Sequence, residues 1–121
     1  MAAVASVVRA YLEAVARQDR EAASSLLSDD VSRVGPFGDT YSGRASYLEF
    51  LTGVMASLRG YGMDIERVIE ASGSRTAVAE LTETVELDGA AVVTPEALIF
   101  DVDADDLITS IRIYIRQPAK P

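Results

Sequence analysis

The chain has 121 residues, of which 49% are hydrophobic and 25% charged, and this predicts a single domain over residues 1–121. Its formal net charge is -8, which disfavours nucleic acid as a partner, because proteins that bind nucleic acid gather Lys and Arg on one face. It contains no His and no Cys, so thiol nucleophiles, disulfides, His-based triads and metal sites with imidazole or thiolate ligands are excluded. Acid and base chemistry would therefore fall to Glu, Asp, Tyr, Lys or Arg.

The first quarter of the chain has the pattern of two helices. Apolar residues recur at helical spacing from Val4 to Val15, which predicts an amphipathic helix over residues 3–17. Asp19 is a suitable N-cap for a short second helix, which should run through Leu27 and end at the polar residues 28–30. The N-terminus has neither a basic leader nor a bilayer-length apolar run, so we expect a soluble cytoplasmic protein without membrane contact.

A short strand, a loop and a third helix are predicted next. Val31–Val34 is the strand candidate, and the Gly- and Pro-bearing residues 35–43 predict the loop. Apolar residues from Tyr47 onward mark the third helix, which should stop at Gly60.

The C-terminal half predicts four strands, near residues 62–70, 75–87, 91–102 and 107–116. The dipeptide Asp88-Gly89, between the second and third of them, is a strong signal for a two-residue hairpin. This order of elements predicts an α+β fold: a cone-shaped curved antiparallel sheet, made of the short first strand and a four-strand meander, packed on three N-terminal helices. Residues 117–121 are predicted to be a loose tail.

The strand at residues 76–87 alternates between an apolar and a polar face, and Glu83 belongs to the apolar one. Its companions on that face are Ala77, Ala79, Leu81, Val85 and Leu87. An unpaired carboxylate that is buried costs several kcal/mol or takes up a proton. We therefore expect a partner or a cavity beside Glu83, and a pocket is the first hypothesis.

Two further charged residues are candidates for the same interior. Glu96 shares a face with bulky apolar residues such as Phe100, which predicts that it also points inward, although the opposite face of its strand is fairly apolar too. Arg33, in the short first strand, is placed to reach the sheet interior. We expect it to be the counter-ion of Glu83 or Glu96. The alternative is a buried ion pair with a purely structural role.

Three runs of sequence carry a resemblance to a known family: VVRAYLEAVARQDREAASSLLSDDV, YSGRASYLEFL and LITSIRIYIR. With the order of elements, they make nearly the whole chain similar to the SnoaL-like branch of the nuclear transport factor 2 superfamily. Such motifs specify a fold far better than a reaction.

Limonene epoxide hydrolase-like members of that superfamily activate water with two Asp residues and an Arg on the sheet, helped by a Tyr and an Asn of the first strand. The resemblance puts Glu83 at one Asp position, Leu81 at the Arg position and Ile113 at the second Asp position. Arg33 and Gly35 stand at the Tyr and Asn positions. The resemblance therefore implies a catalytic role only for Glu83. That Glu83, Arg33 and Glu96 form a rearranged group that orients a water molecule is a conjecture.

Ketosteroid isomerase-like members use a helix-1 Tyr and a protonated Asp as the oxyanion hole, and another Asp to move the proton. Tyr11 stands at the Tyr position and Gly35 at the base position. Glu96 matches the protonated acid if the hairpin at 103–106 is two residues longer. Polyketide cyclases of the SnoaL type use a His and Asp pair, which a chain without His cannot supply.

Two classes of function remain open. The first is a cofactor-independent isomerase, cyclase or epoxide hydrolase-like enzyme acting on a small apolar organic molecule, with Glu83 as base, Glu96 and Tyr11 bound to the substrate oxygen, and Arg33 setting protonation states. The second is a non-catalytic ligand-binding, scaffold or accessory protein of the same fold. No metal or cofactor is expected. Other residues expected to line the pocket are Phe37, Tyr47, Leu81, Leu98, Ile111 and Ile113.

The outer face of the predicted sheet is more apolar and aromatic than a lone domain needs. Its residues include Val78, Thr82, Thr84, Arg112 and Tyr114. We expect a homodimer that forms through this face, as in many proteins of the superfamily.

Overall fold

The computed structural model describes residues 1–116 and shows the predicted α+β architecture, while the predicted tail at 117–121 lies outside the described residues. Within residues 1–116, the helices are α1 (Val4–Ala16), α2 (Arg20–Ser25) and α3 (Arg44–Ser57). The strands are β1 (Leu27–Val34), β2 (Thr40–Ser42), β3 (Gly62–Glu70), β4 (Thr76–Leu87), β5 (Ala90–Val102) and β6 (Ile108–Ile115). In that same range no helix is long and apolar enough to cross a membrane.

The first two helices begin where their sequence signals predict. α1 turns Val8 and Leu12 into the core, where they are fully buried, and the Asp19 carboxylate accepts a hydrogen bond from the Ala22 amide at 3.1 Å to cap α2. The predicted end of α2 is wrong, because Leu27 begins β1. Leu27 is fully buried there and pairs with Ile108 of β6, so tertiary packing overrides the local helical pattern.

The six strands of the described chain form one sheet in the order β2-β1-β6-β5-β4-β3. β3 to β6 make the predicted antiparallel meander, whereas β1 runs parallel to β6 and antiparallel to β2. Sequence reasoning missed β2, because it is three residues long and follows a Gly- and Pro-bearing turn. Register shifts interrupt the β1–β6 and β3–β4 ladders, and such bulges bend strands, so that the sheet curves around the helices.

The β4–β5 hairpin sets the positions of the two inward glutamates. Asp88 and Gly89 have φ of 52° and 79°, the left-handed values that a two-residue hairpin of this type requires. The resulting register places Glu83 opposite Thr94 and Leu81 opposite Glu96. Glu83 and Glu96 are therefore diagonal neighbours on one face of the sheet, a spacing that long side chains can bridge.

The inner face of the sheet changes character along β4. Ala77, Ala79 and Leu81 are buried against the helices, but Glu83 and Val85, further along the same face, are only partly buried. The apolar core thus fills one end of the cone. The other end holds a cavity that contains the predicted carboxylate.

Candidate active site

A cavity of about 250 Å³ lies between α1, α3 and the inner face of strands β3 to β6. This volume is near the lower end for small-molecule sites, which are roughly 300–1,000 Å³. Most of the lining is aliphatic, aromatic or methionine side chain. The polar side chains that line it are Tyr11, Arg33, Tyr47, Tyr61, Glu83, Thr94 and Glu96.

Glu83 and Glu96 lie next to each other on the sheet wall of this cavity, at diagonal positions of β4 and β5. Burial, a hydrogen bond with Glu83 and the charge of Glu83 together raise the pKa of Glu96 to about 9, and Arg33 opposes the shift. Two carboxyl groups this close do not both ionise near neutral pH. Glu96 therefore keeps its proton near neutral pH, so that an acid lies beside the carboxyl group of Glu83.

Tyr61 extends this pair, and sequence reasoning missed it. Its hydroxyl donates a hydrogen bond to Oε2 of Glu83. Burial and the nearby charge of Glu83 raise the pKa of Tyr61 far above its ordinary value, so the hydroxyl keeps its proton. Tyr61 lies in the connection just before β3, outside the predicted strand. The available signal was its alternation with Met63 and Ile65, which extends the inner face of β3 by one residue.

A second pair of hydroxyl groups lies on the helix side of the cavity. Tyr11 of α1 and Tyr47 of α3 share a hydrogen bond of 2.5 Å, and both residues are almost completely buried. Burial raises the pKa of each above its ordinary value. Since each hydroxyl has one proton and their mutual bond uses only one, the pair retains an O–H that can bind a ligand oxygen.

The counter-ion predicted for Arg33 is wrong. Nη1 of Arg33 binds Oδ2 of Asp39 at 2.7 Å, and the guanidinium lies 4.9 Å from the ring centre of Phe50, a cation–π arrangement. Asp39 is six residues away, in the turn between β1 and β2, so this local pair orders little additional chain. Arg33 still lines the cavity, and its charge acts on Glu96 from there.

Eight of the ten residues predicted for the site line the cavity: Tyr11, Arg33, Tyr47, Leu81, Glu83, Glu96, Leu98 and Ile113. Two predicted binding residues lie elsewhere. Phe37 is 76% exposed on the turn after β1, because the sharp chain reversal there directs its ring to solvent, and Ile111 is buried in the core opposite Phe100. A separate cavity of about 150 Å³ between the three helices has polar side chains only at Gln18, Asp19, Arg20 and Thr52, and these make no comparable acid and base pair.

A cone of helices and curved sheet around such a cavity is the NTF2-like fold, and this is the class of protein that the architecture defines. The sequence model for the SnoaL-like domain matches residues 8–111, which is most of the chain. The protein therefore belongs to the SnoaL-like family. No protein of curated function matches the sequence.

Solved structures with this fold include several described by a reaction. A candidate polyketide cyclase from Xanthomonas campestris pv. campestris is 27% identical over 92% of this chain and 88% of that one, with a TM-score of 0.77. An LEH-like epoxide hydrolase from M. tuberculosis is 24% identical over 93% and 82%, with a TM-score of 0.79. A hypothetical protein from Catenulispora acidiphila DSM 44928 with a ketosteroid isomerase-like fold is 20% identical over 89% and 83%, with a TM-score of 0.77. These similarities establish the fold, whereas the reaction of a protein depends on the residues of its site.

Proposed function

We propose that the protein is an enzyme that transfers protons on a small, mostly apolar organic molecule, with Glu83 as base and Glu96 as acid. The observation that supports this proposal is the pair of neighbouring carboxyl groups on the cavity wall, where burial and Glu83 raise the pKa of Glu96 to about 9. Isomerisation, cyclisation and epoxide opening each require one group that accepts a proton and another that protonates an oxygen. Proton transfer of this kind requires only the side chains present.

The substrate class follows from the lining of the cavity. Leu81, Leu98 and Ile113 on the sheet and the apolar side chains of α3 favour a hydrocarbon body. The hydroxyl and carboxyl groups favour one polar oxygen on that body. A cavity of about 250 Å³ favours a compact molecule over one with four fused rings.

The proposed cycle balances its protons within the carboxyl pair. With an enolisable ketone, Glu83 takes the proton next to the carbonyl, the C–H electrons form the C=C bond, and the carbonyl π electrons move to the oxygen, which receives the proton of Glu96. With an epoxide, water attacks carbon and gives its proton to Glu83, while the C–O bond breaks and the oxygen takes the proton of Glu96. With the ketone, an enol conjugated to a second C=C bond takes the proton of Glu83 at the far carbon of that bond and returns its O–H proton to Glu96, which gives the isomeric ketone. With the epoxide, a proton passes from Glu83 to Glu96. Both routes restore the starting state of the carboxyl pair.

A second candidate is a non-catalytic protein that holds a small apolar ligand. The observation that favours it is that the polar groups of the cavity already bind one another, as Tyr61 with Glu83, Glu83 with Glu96, and Tyr11 with Tyr47. A site of this kind can hold an apolar ligand without reacting with it.

A screen of the purified protein against small epoxides and enolisable ketones tests both candidates. We expect turnover by the wild type and a loss of about 100-fold or more in Glu83→Gln, the size of a general-base contribution. The matched control is Glu80→Gln, because Glu80 lies on the opposite face of β4, where it pairs with Arg67, and this variant should keep full turnover. Equal turnover by wild type and Glu83→Gln removes Glu83 as the base. Binding of these compounds without any turnover favours the second candidate.

A further inference from the structure

The turn between β1 and β2 is built around the ion pair of Arg33 and Asp39. The Gly35 amide donates a hydrogen bond of 2.8 Å to the Asp39 carbonyl oxygen, which closes the turn. A Cβ on Gly35 would lie 2.4 Å from Oδ1 of Asp39 and 2.7 Å from Nη1 of Arg33. The φ of Gly35 is outside the left-handed region, so glycine at this position provides room for the ion pair and is not required by the backbone.

Arg33 is close enough to the carboxyl pair to change its proton content. Its side chain is only 11% exposed and lines the same cavity as Glu83 and Glu96. Its Nε is buried and has no hydrogen-bond partner among the described residues. A guanidinium that faces carboxyl groups favours their ionised form and readily binds them through two N–H groups.

Outside the carboxyl pair, the other ionisable groups that line the cavity do not offset the charge of Arg33. They are Tyr11 from α1, Tyr47 from α3 and Tyr61 from the connection before β3, while the pair itself is Glu83 from β4 and Glu96 from β5. Raised pKa values keep all three tyrosines neutral. The negative charge that offsets Arg33 from outside the pair is Asp39, and although partial burial opposes it, the hydrogen bond and charge of Arg33 hold the pKa of Asp39 below its ordinary value.

We propose that Asp39, seated in the space left by Gly35, is a positioning residue: it holds the Arg33 guanidinium in the β1–β2 turn, away from Glu83 and Glu96, and its charge offsets that of Arg33 beside the carboxyl pair. In the proposed function this arrangement keeps Glu96 able to donate a proton, because a fully ionised pair has a base but no acid. This role of Asp39 rests on the proposed function, but its effect on the proton of the carboxyl pair can be measured without turnover.

The test is an NMR titration of the side-chain carboxyl carbons of Glu83 and Glu96 in the intact protein. In Asp39→Asn, the uncompensated charge of Arg33 should favour the ionised pair, and the upper titration midpoint should fall by about one pH unit or more. The matched control is Asp29→Asn, which likewise removes one negative charge, here from β1, and breaks an ion pair, at 2.5 Å, with Arg44 on the protein surface. This control should leave the midpoint in place.

Two further variants make the test specific. Gly35→Ala places a methyl group inside the ion pair and should lower the midpoint in the same direction as Asp39→Asn. In an Arg33→Gln background, Asp39→Asn should have no further effect, since the charge that it released is gone. An unchanged midpoint in folded Asp39→Asn, or a shift no larger than in Asp29→Asn, overturns the inference. A shift in a protein that turns over no compound supports the inference while the proposed function fails.

Discussion

At Glu96, the pKa rises from 4.5 to about 9 on folding, first because the group is buried and then because Glu83 is adjacent. An acid whose pKa is higher in the folded state contributes stability that is complete below the unfolded pKa and is lost as the pH rises to the folded pKa. Each unit of pKa shift is worth about 1.4 kcal/mol. We therefore expect the free energy of unfolding to decrease by at least about 1 kcal/mol between pH 6 and pH 9.

Urea unfolding of the wild type and of Glu96→Gln at those two pH values measures this decrease. The amide of glutamine keeps its donor at every pH, so Glu96→Gln should lose much less stability than the wild type on going to pH 9. Glu80→Gln should behave like the wild type, because Glu80 lies on the outer face. An equal decrease in Glu96→Gln and in the wild type would contradict the assignment of the proton to this pair.

Tyr61 has a separate effect on the same pair. A hydrogen bond to a charged acceptor favours the charged form, so its removal in Tyr61→Phe should raise the titration midpoint of Glu83 and Glu96. Such a bond is worth about 1.5–3 kcal/mol, and kcat/KM should fall by about 10-fold or more if Glu83 is the base. Tyr41→Phe is the control, because Tyr41 does not line the cavity and its ring instead stacks on Phe50, with ring centres 4.1 Å apart. A midpoint that moves equally in both variants would argue against the role of Tyr61.

At the scale of elements, two glycines are expected to respond oppositely to the same substitution. Gly53 lies inside α3, and a Cβ there would meet nothing within 4 Å, so Gly53→Ala should stabilise the protein by about 0.5–1 kcal/mol. Gly89 has φ of 79° in the β4–β5 hairpin, so Gly89→Ala should destabilise it by about 1 kcal/mol or more. Chemical denaturation of both variants checks the signs, and stabilisation by Gly89→Ala would show that the hairpin is not strained there.

The strand–hairpin–strand unit of β4 and β5 was predictable because its signals are local. Period-2 alternation assigned Glu83 to the inner face, and the Asp88-Gly89 turn specified the hairpin. A two-residue loop pairs Leu87 with Ala90, and counting back from that pair already places Glu83 diagonal to Glu96. The neighbouring acids of the site are thus contained in the sequence of a single hairpin.

The start of β1 and the strand β2 could not be predicted from local pattern. Leu27 continues the apolar spacing of α2, and only its pairing with β6, about eighty residues later in the chain, makes it a strand residue. Arg33 was placed correctly on the inner face, but its partner is chosen by the turn geometry that brings Asp39 beside it. Opposite charges in a sequence predict that an ion pair is possible, and the backbone between them decides which pair forms.

At the scale of the whole molecule, we propose that the outer face of the sheet forms a homodimer. Val93, Tyr114 and Ile69 on this face are 59%, 56% and 44% exposed, and exposed apolar groups on a sheet are typical of contact surfaces. Tyr114→Glu should shift the protein toward the monomer in analytical ultracentrifugation. Phe37→Glu is the matched control, because it removes an exposed aromatic ring from the β1–β2 turn and not from the outer face of the sheet. This variant should sediment like the wild type. A wild type that sediments as a monomer at high concentration would refute the proposal.

The parallel pairing of β1 with β6 joins residues near position 30 to residues near position 110. During synthesis, β1 therefore has no neighbour on one edge until β6, about eighty residues later, has left the ribosome. Closing so long a loop is entropically costly and slow, and topologies with distant contacts fold slowly for this reason. The nascent chain thus exposes an unpaired strand edge until β6 has been made, and such edges can associate wrongly during folding.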